Sequence, residues 1–209
     1  MYLPQHFQEV RPDILIELIE KHPFGSLIIH INGELDANHL PFEYDAEQHA
    51  LLAHIARENP LYKMLSHARD VLVVFHIDQA YVSPNWYVEK FEHHRAVPTW
   101  NYVVIHVKGK ACLIEDQKQL RGILAKLTRH QEANQSKPWK MTDAPDDYIQ
   151  DQLGHIVGLK IEIKEMIGKF KLSQNRSIDD ATNVAEALVK RGKSLISAMM
   201  FKQIQDRAK

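Results

Sequence analysis

Apolar residues recur with helical spacing near the start of the chain: Ile14, Leu15, Leu18 and Ile19 fall on one face, Pro12-Asp13 open the pattern and His22-Pro23 end it. Residues 27–31 and 34–42 are extended runs on either side of Asn32-Gly33, a pair that supplies the positive φ angles of a type I′ turn, so a β-hairpin is predicted. Residues 46–57 satisfy two periods at once. Leu51, Leu52 and Ile55 suit a helix, whereas His49, Leu51, Ala53 and Ile55 line one side of a strand, and Asn59-Pro60 stops either. Residues 71–75 form a compact β-branched run that reads as a buried strand, and residues 99–114, with Val103, Ile105 and Val107 in alternation, read as a long strand able to pair around Gly109.

The stripe Leu120, Ile123, Leu124 and Leu127 places a helix within residues 116–130, and residues 131–145 read as a polar loop with two prolines. In residues 159–172, Leu159, Ile161 and Ile163 share one parity and Met166, Gly168, Phe170 and Leu172 the other. That shift predicts a bulge or bend near Lys164-Glu165. Two helical segments follow, capped by Ser177 or Asp179, interrupted at Gly192, and carrying the apolar stripe Ile196, Met200 and Ile204. Left exposed, that stripe is a liability, so it is expected to pack on the strands or on a partner subunit. Short strands with few helices between them predict a mainly β protein with α elements, an antiparallel barrel decorated by helices rather than a doubly wound sheet.

The composition fits one core with a helical appendage: 209 residues, 44% hydrophobic and 25% charged. No apolar stretch has the length of a membrane span, and the start Met1-Tyr2-Leu3-Pro4-Gln5-His6 has no secretory pattern. The single cysteine, Cys112, excludes an intrachain disulfide, and these features together favour a reducing cytoplasm. The net charge of −1 hides an asymmetry: residues 156–209 carry eleven basic and six acidic side chains, the remainder fifteen and twenty-one. A basic tail suits phosphate, and it equally suits a solvated helix face.

Thirteen histidines invite a metal, yet there is no His-Glu-x-x-His and no cysteine pair, and adjacent His93 and His94 point apart in any regular element; they read as structural or surface residues. Ser26 follows Gly25 without the second glycine of a nucleophile elbow, and neither a Gly-x-Gly-x-x-Gly nor a Walker A sequence occurs. The chemistry gathers elsewhere. Tyr81-Val82-Ser83-Pro84-Asn85-Trp86-Tyr87 and Val97-Pro98-Thr99-Trp100-Asn101-Tyr102 combine aromatic rings with hydroxyls and amides, a composition suited to a planar, polar ligand. Lys171, Ser173, Gln174, Asn175 and Arg176 add cations and further donors. Flavin mononucleotide (FMN) needs such a set: cations and donors for its phosphate, amides for its ribityl chain, flat walls for its ring. Strand alternation puts Lys171, Ser173 and Asn175 on one face and Gln174 and Arg176 on the other. All five then serve one ligand only if the strand ends there or a dimer partner uses the second face. The same segment also suits an ordinary solvated strand end.

Several segments together carry a resemblance over nearly the whole chain: Met1-Tyr2-x-Pro4 with Phe7, Pro23-Phe24-Gly25, His39-Leu40-Pro41-Phe42, His54-x-Ala56-Arg57-x-Asn59-Pro60, the two aromatic runs, and Lys171-Leu172-Ser173-Gln174-Asn175-Arg176. In this order they resemble the PaiB-type FMN-binding negative transcriptional regulators. The resemblance implies an FMN-binding split β-barrel, antiparallel and Greek-key-like, similar to pyridoxamine phosphate oxidase. It implies a barrel over residues 1–176 with a helical extension over 177–209, and a homodimer with flavin sites at its interface. Residues 50–56 become a strand and 59–65 a short helix. FMN-binding positions are implied at Asn38, His39, Ser83, Trp86, Thr99, Trp100, Asn101, Tyr102, Lys171, Ser173, Gln174 and Arg176. Of these, His39, Ser83, Thr99 and Arg176 are expected near the phosphate or ribityl chain with Lys171 supplying charge, and Trp86, Trp100 and Tyr102 wall or support the ring.

Two positions depart from the family pattern: Ile77-Asp78-Gln79 replaces a glycine-containing turn, and Asn38 replaces a small hydroxyl residue. The implied role is a negative regulator or flavin-dependent sensor, with an FMN-dependent oxidoreductase as the alternative and a haem-binding variant behind it. Only Lys190, Arg191 and Lys193 cluster on the C-terminal helices, which favours action through flavin redox state or a protein partner over a DNA-reading helix.

Overall fold

The computed structural model describes residues 1–31 and 33–207. An eight-stranded sheet runs in the order β3-β2-β6-β7-β8-β5-β4, with β1 (Gln8–Glu9) paired to β8 (Ile156–Lys171). The chain divides into two compact units, one of residues 1–15, 76–105 and those from Ile167 on, the other of residues 16–75 and 106–166. Three strands, β6 (Arg69–Val82), β7 (Thr99–Ile114) and β8, contribute residues to both. Helix α1 (Pro12–Lys21) forms where its periodicity predicts, with Leu15 and Ile19 fully buried.

In the second unit, β2 (Phe24–Ile31) and β3 (Glu34–Pro41) make the predicted antiparallel hairpin, closed by the pair Ile31↔Glu34, with Gly33 at φ +86°. Asn32, the other turn residue, lies outside the described residues. Strand β5 (Ala50–Ala56) pairs with β4 (Glu43–Asp45) and β8. Ala50, Leu51, Leu52 and Ala53 are all buried, so neither face carries a polar parity, and this is why periodicity alone leaves the segment ambiguous. The expected short helix is α2 (Pro60–Met64), capped by Asn59, whose Oδ1 accepts from the Leu61 N–H at 2.9 Å.

Helix α4 (Gln117–Glu132) starts on Asp116, whose Oδ1 accepts from the Gln119 N–H at 2.7 Å. It buries Ile123 and Leu127 with Leu52, and Leu120 against Ile149 and Leu153 of α5 (Asp146–Gly154). Residues 131–145 hold the expected loop, with a 3-10 turn at Met141–Asp143, but α5 directly after Pro145 is not visible as a stripe in the sequence. Strand β7 passes through Gly109 without turning. A Cβ there would stand 2.4 Å from the Glu162 carbonyl oxygen, so the glycine permits a close approach of backbones rather than a chain reversal.

In the first unit, β7 buries Asn101, Val103 and Ile105 and exposes Trp100. Ile77-Asp78-Gln79, where a turn is expected, lies inside β6; Asp78 Oδ2 accepts from the Ile196 N–H at 3.1 Å. β8 shows the anticipated change of parity, burying Val157, Leu159 and Ile161 early and Phe170 late, as its partner changes from β5 to β1. After a 3-10 turn at Pro84–Trp86 the chain makes a single-turn helix α3 (Lys90–His93) before β7. Ser177 caps α6 (Ile178–Val189), Gly192 at φ +72° ends the segment, and α7 (Ser194–Arg207) follows. Two of the three stripe residues are covered: Ile196 and Met200 are fully buried and Ile204 half-buried, α7 packs on α6, and Met200 meets Asn101 of β7.

Candidate functional site

β8 ends at Lys171, and the next residues turn sharply because Ser173 adopts the left-handed conformation, φ +66°. Three bonds hold this turn. The Arg176 N–H donates to the Ser173 carbonyl at 3.0 Å, and the Leu172 N–H donates to Gln174 Oε1 at 2.7 Å, while Gln174 Nε2 donates to the Phe170 carbonyl. From β7, Asn101 Nδ2 donates to Ser173 Oγ at 2.9 Å, with both residues buried. The strand alternation expected for residues 171–176 is therefore replaced by a turn, the geometry that frees these side chains from two opposed faces.

The turn sets a cluster of cations against the start of β7. Lys171 Nζ donates to Thr99 Oγ1 at 2.6 Å and to the Trp100 carbonyl. Burial, and then the charges of Lys169 and Arg176, lower the pKa of the Lys171 ammonium from its ordinary value. The Arg176 guanidinium lies over the Tyr87 ring at 4.5 Å. Burial raises the pKa of the Tyr87 hydroxyl, and Arg176 opposes that shift. Lys169, itself buried, donates to the Tyr2 carbonyl at 3.0 Å and stands 5.4 Å from the rings of both Tyr2 and Tyr102. Among the described residues, no carboxylate forms an ion pair with Lys169, Lys171 or Arg176. Three such cations in a partly desolvated place suit an anion of more than one charge.

Beside them lies an aromatic surface. Trp100 is 54% exposed and meets Tyr81 edge-on at 6.0 Å. His76, Gln79, Trp100, Tyr102 and Val104 line a shallow recess of about 470 Å³. A phosphate-bearing ligand with a flat ring fits this donor set: cations for the phosphate, exposed aromatic walls for the ring, amides and hydroxyls along the approach.

The remaining positions are engaged in holding structure. Ser83 Oγ accepts from the Asn85 N–H at 3.2 Å and caps the turn at Pro84–Trp86. Trp86 lies under the Arg191 guanidinium at 4.6 Å. Asn38 and His39 belong to the second unit: His39 Nδ1 bonds Ser26 Oγ at 2.9 Å, and Asn38 bonds both Asp36 and Asn59. Sequence reasoning missed Lys169 and Tyr2 as members of the cluster. Lys169 stands on the parity opposite Gly168 and Phe170, where a solvated side chain is expected, so the alternation gave no sign of it.

The antiparallel sheet with its helices is a split β-barrel, the fold of solved flavin-binding proteins. Solved structures share this fold: an FAD- and heme-binding protein of Mycobacterium smegmatis (15% identity, TM-score 0.59, 79% of this chain and 73% of that one) and the flavocytochrome Anf3 of Azotobacter vinelandii (14% identity, TM-score 0.55, 81% and 72%). The chain belongs to the family described as "Putative FMN-binding domain", whose model matches residues 1–165, and FMN is the cofactor that this membership assigns. It is 30% identical over 190 residues to the protease synthase and sporulation protein PAI 2 of Bacillus subtilis, covering 90% of this chain and 89% of that one. It is also 31% identical over 222 residues to an uncharacterized protein of Emericella nidulans, covering 88% of each. The resemblance carried by the sequence motifs is thus borne out. Lys169, Lys171 and Arg176 lie beyond residue 165, where the segment the family model matches ends.

Proposed function

We propose that this protein binds FMN at the turn joining β8 to α6 and acts as a flavin-dependent sensor that negatively regulates transcription through a protein partner. The observation that carries the reading is Lys171, a half-buried ammonium whose protein partners are two uncharged oxygens and whose neighbours include two further cations. Thr99, Lys171 and Arg176 hold the phosphate, and Trp100 and Tyr102 face the ring. Asn101, Ser173 and Gln174 fix the turn that aims the cations, and Ser83 and Trp86 shape the wall behind. Bound FMN supplies one- and two-electron redox chemistry. The residues around it bind, orient and shield it.

The regulatory part rests on the resemblance to the PaiB-type regulators, supported by likeness to the protease synthase and sporulation protein PAI 2 of Bacillus subtilis. Action through a partner is favoured because Arg191, the centre of the one basic group noted on the C-terminal helices, is already engaged over Trp86. A homodimer with flavin sites at its interface fits the exposed rings of Tyr81 and Trp100.

Titration of the protein into FMN, followed by quenching of flavin fluorescence, tests the cofactor: saturable binding of one FMN per chain is expected, and no quenching at high micromolar protein overturns it. A sizing column reads the dimer. A salt-sensitive shift of promoter DNA by the isolated protein would replace the partner with direct DNA binding.

A further inference from the structure

Residues 88–98 leave the cation cluster at one end and return to it at the other. The segment begins beside Tyr87, the platform under Arg176, and ends at Thr99, which accepts from Lys171. Its start is pinned by a carboxylate: Asp180 Oδ1 accepts from the Val88 N–H at 2.6 Å and from the Glu89 N–H at 3.3 Å. Lys90 Nζ adds a bond to Asn85 Oδ1. Beyond these, among the described residues, the hydrogen bonds of the segment stay within it, in the single turn of α3 and in the Arg95 N–H donating to His93 Nδ1 at 3.0 Å. Phe91 is 67% and Val97 69% exposed, so the segment buries little apolar surface of its own. Few buried contacts, with bonds to the rest of the protein at Val88, Glu89 and Lys90 alone among the described residues, describe a segment able to move as a piece.

Asp180 is the unusual anchor. It is fully buried, and its second oxygen, Oδ2, has no hydrogen-bond partner among the described residues. A half-paired buried carboxylate is costly, and holding an inert surface loop does not require one. Both anchors of the segment, moreover, are tied to ligand-binding groups. A phosphate arriving at the cluster competes for the Lys171 ammonium that now holds Thr99, and it draws on Arg176 above the ring that precedes Val88.

We propose that residues 88–98 are a strap that closes over FMN bound at the Lys171–Arg176 cluster, and that Asp180 is the positioning residue fixing its hinge. The proposal rests on the FMN reading above. Closure brings Phe91 and Val97 out of water and onto the ligand, and opening exposes them again, so strap position reports occupancy of the site.

Trypsin cleaves after Lys90 and Arg95 inside the strap, and mass spectrometry of the full-length protein follows both cuts. Saturating FMN is expected to slow them about tenfold relative to the protein alone, because closure removes the local opening that cleavage needs. Inorganic phosphate, which engages the cations without a ring, is expected to give no protection; equal protection by phosphate overturns closure over the flavin. Asp180→Ala is expected to be cut rapidly with or without FMN and to bind FMN about tenfold more weakly, while Asp180→Asn, which keeps an acceptor for the two N–H groups, restores both readouts. Should Asp180→Ala fail to fold, Asp180→Glu shifts the hinge instead: reduced protection with native circular dichroism is expected, and full protection overturns the role of Asp180. Saturable FMN binding with unchanged cleavage sinks the strap and leaves the FMN reading standing. Absence of FMN binding removes both.

Discussion

Asn101 Nδ2 donates to Ser173 Oγ at 2.9 Å across the interior of the first unit, tying the middle of the aromatic run to the turn that carries the cations. Neither side chain reaches solvent. Asn101→Ala therefore leaves the Ser173 hydroxyl, held at φ +66°, without its donor in a buried place. Urea denaturation is expected to show a loss of about 0.5–1.5 kcal/mol, the usual net worth of a hydrogen bond, since Tyr87 still stands beside the Ser173 hydroxyl. The same variant is expected to bind FMN more weakly, because the turn that aims Lys171 and Arg176 loosens. Lower stability with unchanged FMN affinity would show that the lock serves only the fold.

Lys171 separates charge from packing. Lys171→Met keeps most of the side-chain volume and removes the ammonium, and flavin fluorescence is expected to show at least about a tenfold loss of FMN affinity, the size of one charge-assisted hydrogen bond. Stability is expected to hold or rise, since the ammonium is half-buried beside two cations. The pH dependence has a definite sign. With the folded pKa below the unfolded one, the unfolded chain binds more protons between the two values, so stability rises with pH through that alkaline window. Denaturation midpoints of the wild type are expected to climb there relative to Lys171→Met; parallel curves would refute it.

How legible these features were depends on how local their causes are. β7 reads directly from its alternation because one face is buried and the other meets solvent. β5 does not, since both its faces are covered, and only the family motif around His54 and Asn59 assigns it. α5 presents just Ile149 and Leu153 to the core, too few apolar positions for a stripe. In the candidate site, the residues of the turn were visible but their geometry was not, because serine gives no sign of a left-handed conformation that Asn101 stabilises from 72 positions away. Lys169 escaped for a related reason: its partner Tyr2 lies 167 residues earlier, and a lysine by itself reads as a surface group.

His54 gives an acid-side prediction from the second unit. Its Nδ1 is buried without a partner among the described residues, and burial lowers its pKa below the ordinary 6.5. The unfolded chain takes up the proton near 6.5 and the folded chain only at lower pH, so stability is lost as pH falls from about 6.5 toward the folded value. Urea midpoints between pH 7 and pH 5 are expected to fall less steeply in His54→Leu than in the wild type. An unchanged slope would place the titrating group elsewhere.

Two glycines of the second unit make opposite predictions from the same substitution. Gly109 has the Glu162 carbonyl oxygen 2.4 Å and the Ile161 Cγ2 2.7 Å from where a Cβ would stand. The obstacle includes backbone of a paired strand, which cannot rotate away, so Gly109→Ala is expected to cost about 1–3 kcal/mol or more through overpacking. Gly122 sits inside α4 with nothing within 4 Å of that position. There the methyl meets open space while the helix loses a flexible residue, and Gly122→Ala is expected to gain about 0.5–1 kcal/mol. Thermal or urea unfolding of the two variants beside the wild type gives the comparison. If Gly122→Ala were destabilising as well, the space beside α4 would have to be filled by something the free chain does not supply, and the variant's oligomeric state would be the next measurement.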